Sequence, residues 1–270
     1  MNEQQPEALD TNALLTGMII ALILVGAYLL YQYWRHRKAA LSSVPEEEVH
    51  QILHQHFAYY KALNAQEKSK FIKRVQLFIG QKVFIPRMFK VVTHEMKVLI
   101  AASAVQLTFG LPEISLQHFR RIIIYPDYYY STVTKRMHKG EVNPKAQAVV
   151  LSWKSFLQGY QITDDSYNLG LHEMAHALEL ENMIENNEYE FLHKETWQQF
   201  QQEASRIRTL IKKGEPHFFR AYAATNEKEF FAIAVENFFE RPMAFQHELP
   251  HLYGILVSLL NQNPLEKRTF

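Results

Sequence analysis

Residues 169–180 read Leu-Gly-Leu-His-Glu-Met-Ala-His-Ala-Leu-Glu-Leu, and within them lies His172-Glu173-Met174-Ala175-His176, an H-E-x-x-H pattern. On an α-helix, residues four apart are separated by about 40° of rotation, so both imidazoles project from one face and can hold a single Zn²⁺. Glu173 is turned away from that pair yet stays close enough to reach a water beside the metal rather than the metal itself. Zinc lowers the pKa of such a water towards about 7, which lets a carboxylate take its proton at neutral pH. The apolar residues on either side place the segment on a buried helix.

The chain supplies its own control. His247-Glu248-Leu249-Pro250-His251 also matches H-E-x-x-H, but a proline there removes a helical N–H and clashes with the preceding turn. Those two histidines are not expected to share a regular helical face. His50, His54 and His56 include an i,i+4 pair without a glutamate partner, and His94-Glu95 lacks a second histidine; both read as solvated helix faces. There are no cysteines among the 270 residues. Thiolate zinc sites, disulfide frameworks and cysteine nucleophiles are thereby excluded, and a metal must be held by His, Asp or Glu.

A catalytic zinc site needs a third protein ligand and an open position. Downstream, Ala221–Glu240 reads Ala-Tyr-Ala-Ala-Thr-Asn-Glu-Lys-Glu-Phe-Phe-Ala-Ile-Ala-Val-Glu-Asn-Phe-Phe-Glu. Carboxylates set among phenylalanines are costly to bury unless paired or bound to metal. Spacing alone leaves Glu227, Glu229, Glu236 and Glu240 open, and an amphipathic helix with solvated glutamates is the bland alternative.

Outward from the motif, the pattern predicts an α+β arrangement: helices, a few strands, then helices again. Glu46 to about Leu63 has the three-and-four spacing of a helix (Val49, Ile52, Leu53, Phe57), and Asn64 with Glu67 three positions later forms a capping-box signature for the next one. His94 to about Leu107 is small and apolar, as a buried helix would be. Ile122–Tyr125 and Ala148–Trp153 are β-prone runs bounded by Pro126 and Asn143-Pro144. By resemblance to zinc peptidases, in which an edge strand lies beside the cleft and pairs with extended substrate, Ala148–Trp153 is expected to take that place, with a core position for Trp153 as the alternative. The aromatic run Tyr125–Tyr130 reads either as a pocket wall or as a loop packed on the body.

At the other end of the chain, residues 13–34 form a run of 22 without a charge. As a helix it would be about 33 Å long, enough for a hydrocarbon core of about 30 Å. Glu3, Glu7 and Asp10 precede it, and Arg35, Arg37 and Lys38 follow. That asymmetry predicts a single-pass inner-membrane protein with its N-terminus outside and its catalytic domain in the cytoplasm. The implied organisation is an extracytoplasmic tail at 1–12, a transmembrane helix at 13–34, a basic juxtamembrane linker at 35–45 and a catalytic domain at 46–270. The balance of 29 Lys+Arg against 28 Asp+Glu argues against nucleic acid as a partner.

Several motifs together resemble one family. HEMAH with Asn168 four residues before it, VVLSW at 149–153, IIYPD at 123–127, TNEKEFFA at 225–232, and FFERP followed by ELPHLY are similar to the Mlc titration factor A (MtfA)-like zinc peptidases. The resemblance covers roughly residues 46–265. The zinc-binding core of that family is in turn similar to the protease domain of anthrax lethal factor, in which a tyrosine lies seven residues before the liganding glutamate. The resemblance implies a gluzincin arrangement with one Zn²⁺ per chain: His172, His176 and Glu229 as ligands, Glu173 as general base, and Tyr222 as donor to the developing oxyanion. Glu179 stands where the family usually has aspartate, three residues after the second histidine, in a supporting role. The implied activity is hydrolysis of peptides or proteins; family members are commonly soluble, and it is the uncharged run at 13–34 that would place this activity at the cytoplasmic face of a membrane. Against it stand two alternatives: a regulatory, zinc-containing binding protein that sequesters a protein partner at the membrane, and a metal-free tethered scaffold.

Overall fold

The uncharged run at 13–34 lies in one helix, α1 (Thr11–Leu41). The computed structural model describes residues 11–41, 44–112, 114–131, 135–162, 164–184 and 191–266. Most of the tail expected at 1–12 therefore lies outside the described residues. The described side chains of α1, residues 15–31, are all exposed, with Leu22 at 69% and Ile23 at 64%. These span about 26 Å at about 1.5 Å per residue. Among the described residues no helix is long and apolar enough to cross a membrane, so the expected transmembrane helix is not supported by the fold. The chain divides into two compact units, 1–42 and 43–270.

The second unit begins with α2 (Glu46–His56) and the short α3 (Ala58–Lys61). The periodicity predicts one helix here, but the backbone turns extended at Phe57, with φ −122° and ψ 96°. Phe57 is fully buried and its ring stacks on Tyr160 at 4.8 Å. Burying that ring outweighs one unbroken helical turn. Next comes α4 (Ala65–Gln81), opened by the expected capping box: Glu67 N donates to the Asn64 side chain and Asn64 N donates to the Glu67 carboxylate. After β1 (Val83–Pro86), α5 (His94–Thr108) is buried on all sides and packs against α2, α4 and α7, the helix of the H-E-x-x-H motif.

The strands β2 (Arg121–Tyr125), β3 (Tyr129–Ser131), β4 (Arg136–His138), β5 (Gly140–Asn143) and β6 (Ala148–Ser152) follow. Four of them form a mixed sheet in the order β1-β2-β6-β5. In it β1, β2 and β6 run parallel, while β5 is antiparallel to β6, with Gly140 opposite Leu151. β3 and β4 make a separate antiparallel hairpin.

This topology corrects the expectation for Ala148–Trp153. Every residue of β6 is buried, and β6 is paired on both sides. The edge on this side is β5, a short strand whose polar residues hid it in the sequence. Trp153 belongs to the next helix, α6 (Trp153–Gln161), and stacks on Phe156 at 5.4 Å.

Five helices complete the unit: α7 (Leu169–Ile184), α8 (Lys194–Lys212), α9 (Glu227–Glu240), α10 (Pro242–Glu248) and α11 (Pro250–Leu260), with a 3₁₀ turn at Ala221–Ala224 before α9. α7 and α9 are the most extensively packed helix pair. Phe230, Phe231 and Phe238 of α9 are fully buried, each worth about 1.5–3 kcal/mol of transfer free energy. α9 is therefore held firmly enough to present a side chain to α7 at fixed distance.

Candidate metal centre

Asn168 starts the motif helix. Its side-chain oxygen accepts from Leu171 N at 3.0 Å, and its amide donates to the Gly159 carbonyl of α6 at 3.1 Å. A Cβ on Gly159 would come within 2.8 Å of the Asn168 Cα, so glycine is what allows the two backbones to approach. One turn later, His172 and His176 face each other, with their Nε2 atoms 3.1 Å apart and their rings at 87°.

The third partner comes from α9. Its N-cap, Asn226, accepts from Glu229 N at 2.9 Å, and the Glu229 carboxylate turns to the histidines. Glu229 Oε2 lies 3.3 Å from His172 Nε2, and Oε1 lies 3.6 Å from His176 Nε2. Among the described residues these three form the one cluster of His and carboxylate groups that could hold a metal ion, with ligand atoms all within 4.8 Å of one another. A tetrahedral zinc with arms of about 2.0–2.1 Å needs ligand atoms about 3.3 Å apart. The separations of 3.1, 3.3 and 3.6 Å match that requirement.

The electrostatics favour positive charge at the same point. Burial pushes the Glu229 carboxyl up, but His172 and His176 prevail and hold it well below the usual carboxylate range. Burial also opposes charge on His172, yet contacts with Glu229 and Glu236 raise it to about 10. A setting that so favours a proton suits a divalent cation as well.

Of the four glutamates that spacing leaves open, Glu229 joins the histidines and Glu236 takes a different place. Glu236 is 1% exposed and meets the other nitrogen of His172, Nδ1. Arg220 donates to both of its oxygens at 3.0 Å, and Asn168 N donates to Oε2 at 3.3 Å. A carboxylate on Nδ1 fixes the ring's orientation and leaves the Nε2 lone pair for a metal. Glu227 and Glu240 stay outside the cluster, and burial pushes the Glu240 carboxyl up to about 8. Nothing in the sequence singles out Arg220, a lone arginine two residues before Tyr222, whose place emerges only with the fold.

Glu173 and Tyr222 line a cavity of about 660 Å³ together with His172, Arg220, Tyr167 and Gly140. Glu173 is 5% exposed, and burial raises its carboxyl despite the opposing histidines. That shift moves a base towards neutrality, where proton transfer is most effective. Tyr222 is half exposed, and burial with the Glu229 and Glu173 charges pushes its phenol up, so it stays a hydrogen-bond donor. Glu179 is buried, and burial raises it to about 7. No hydrogen bond links it to His176 among the described residues, and its Oε2 lacks a partner.

Among the described residues the other histidine motifs singled out in the sequence stay apart from this cluster. α10 ends at Glu248 and Pro250 opens α11, so the second H-E-x-x-H is broken, with His247 and His251 side chains 84% and 75% exposed. His50 Nδ1 meets the Tyr60 hydroxyl at 2.6 Å, and His94 pairs with Glu48 at the surface. Tyr125 and Tyr129 stack at 4.5 Å, outside the cavity lining.

Comparison with known proteins places the chain in a family. The family model described as glucose-regulated metallo-peptidase M90 matches residues 31–260. The chain is 26% identical to the uncharacterized protein slr2042 of Synechocystis sp., covering 95% of this chain and 98% of that one. It is 24% identical to Mlc titration factor A of Yersinia pestis and of Yersinia pseudotuberculosis, covering 76% of this chain and 81% of theirs. A metal-ready pair of histidines on α7, a glutamate brought to them by α9 and a family match over most of the length converge: this chain belongs to the M90 metallopeptidase family, the family of proteins like Mlc titration factor A.

Proposed function

We propose that this protein is a membrane-anchored zinc peptidase that hydrolyses peptide bonds in the cavity beside His172. His172, His176 and Glu229 would hold the metal. The observation that carries the reading is the spacing of their three ligand groups, 3.1–3.6 Å apart, with a buried carboxylate, Glu173, lining the adjoining cavity. Bound zinc supplies Lewis-acid chemistry, lowering a water's pKa towards about 7 and polarising a carbonyl.

The chain's own groups do the rest. Glu173 accepts the proton of the attacking water and returns it to the leaving amine. Tyr222 donates to the carbonyl oxygen as charge develops on it. Arg220 and Glu236 keep the His172 ring in place. An extended backbone is the substrate class that suits β5, whose outer edge is unpaired in the sheet and which packs on α7. Anchoring through residues 13–34, with the N-terminus outside, is supported by the uncharged run and by Arg35, Arg37 and Lys38 behind it.

Turnover of a diverse peptide library by wild type and Glu173→Gln, with metal content measured on both, tests the reading. Zinc in both proteins and cleavage by wild type alone is the expected result. Zinc in both and cleavage by neither would leave a metal-containing binding protein in place of a peptidase.

A further inference from the structure

Gly140 opens β5, and its backbone lies directly against the carboxylate of Glu173. A methyl group on its Cα would sit 2.3 Å from Glu173 Oε1, 2.6 Å from Cδ and 2.7 Å from Cγ. All three separations are far inside van der Waals contact, and they take in Cγ of the stem as well as the carboxylate itself. Glu173 is 5% exposed, so its carboxylate cannot step aside freely.

The backbone gives no competing reason for glycine at this position. Gly140 is not among the residues with positive φ; it sits in a regular antiparallel pair opposite Leu151. Glycine weakens a strand interior, because it loses more freedom on folding and packs no side chain. Its presence runs against local preference, and what occupies the space a side chain would fill is Glu173.

We propose that Gly140 is a positioning residue for Glu173: its bare Cα forms the slot that fixes the carboxylate in the cavity. The inference rests on the peptidase reading for its consequence in turnover, but not for the contact itself. The strand that flanks the cavity would thereby also aim the base.

The test uses the full chain as wild type, Gly140→Ala, Glu173→Ala and the double variant. Gly140→Ala should keep its zinc and leave KM nearly unchanged while kcat falls about 100-fold, the scale expected for a displacement of about 1 Å at a reacting group. Overpacking should lower its Tm by about 2–6 °C relative to wild type. With Glu173→Ala as background the same change should leave Tm level or raise it, because the obstructing carboxylate is gone. Additive Tm effects, or a Gly140→Ala kcat close to that of wild type, would overturn the proposal. So would a double variant that fails to fold where Glu173→Ala folds, since glycine would then be needed for the backbone. If wild type cleaves no peptide, the peptidase reading fails on its own, and non-additive Tm values would still uphold the Gly140–Glu173 contact.

Discussion

Glu236 meets His172 at Nδ1, on the opposite edge of the ring from the Nε2 that faces His176 at 3.1 Å. One carboxylate of α9 thus orients a ring that another, Glu229, meets two helical turns earlier. Arg220 completes the arrangement with two 3.0 Å bonds to Glu236. Glu236→Ala should therefore lower zinc affinity about 10–100-fold, the usual cost of losing the group behind a metal-binding histidine. Arg220→Ala should cost about 3–5 kcal/mol of stability, since it leaves Glu236, 1% exposed, as a buried charge short of a partner. Competition titration with a zinc chelator and urea unfolding measure the two effects. Unchanged zinc affinity in Glu236→Ala would make that carboxylate a structural group only.

Glu229 and Glu227 are two positions apart on α9, and only Glu229 reaches the histidines. Glu229→Ala should reduce bound zinc far below one per chain, whereas Glu227→Ala should leave it in place. Metal analysis after gel filtration distinguishes them. Stoichiometric zinc in Glu229→Ala would move the ligand to another carboxylate.

Tyr222 is 53% exposed, so its hydroxyl contributes little to folding, yet it lines the cavity with Glu173 and His172. Tyr222→Phe should lower kcat by about 10²–10³, typical for removal of one oxyanion donor. Stability should change by less than about 0.5 kcal/mol, and zinc content should stay the same. Steady-state kinetics on any cleaved peptide provide the measurement; an undiminished kcat would assign the oxyanion to another donor.

How far the sequence could lead is visible in these residues. Asn64 with Glu67, the apolar run of α5, the paired histidines and the break at Pro250 are all local signals, carried by neighbours within a turn or two of one another, and each appears in the fold where its chemistry requires. Glu229 is different: helical spacing leaves four glutamates equal, and only the family resemblance points to one. β5 carries no strand signal, because Gly140-Glu141-Val142-Asn143 has neither the length nor the alternation of a strand and owes its conformation to pairing with β6. Arg220 meets Glu236 and Gly140 lies against Glu173, partners 16 and 33 positions away. A contact of that kind leaves no periodicity to read.

Lys82 gives a prediction in the body of the unit, away from the metal centre. It is 8% exposed, donates to the Leu116 carbonyl at 2.5 Å and lies over the Phe78 ring at 4.9 Å. Burial lowers its ammonium from 10.5 to about 8, with Glu181 opposing the shift. Between those two values the folded chain has released a proton that the unfolded chain still holds. The unfolded state then binds more protons, so stability must rise with pH across this window. An ammonium lowered from 10.5 to about 8 corresponds to about 3 kcal/mol at full development. Urea unfolding at pH 7.5 and pH 10 should therefore show wild type gaining about 2–3 kcal/mol more than Lys82→Met over the same interval. An identical response in both proteins would mean that Lys82 keeps its charge in the folded state throughout.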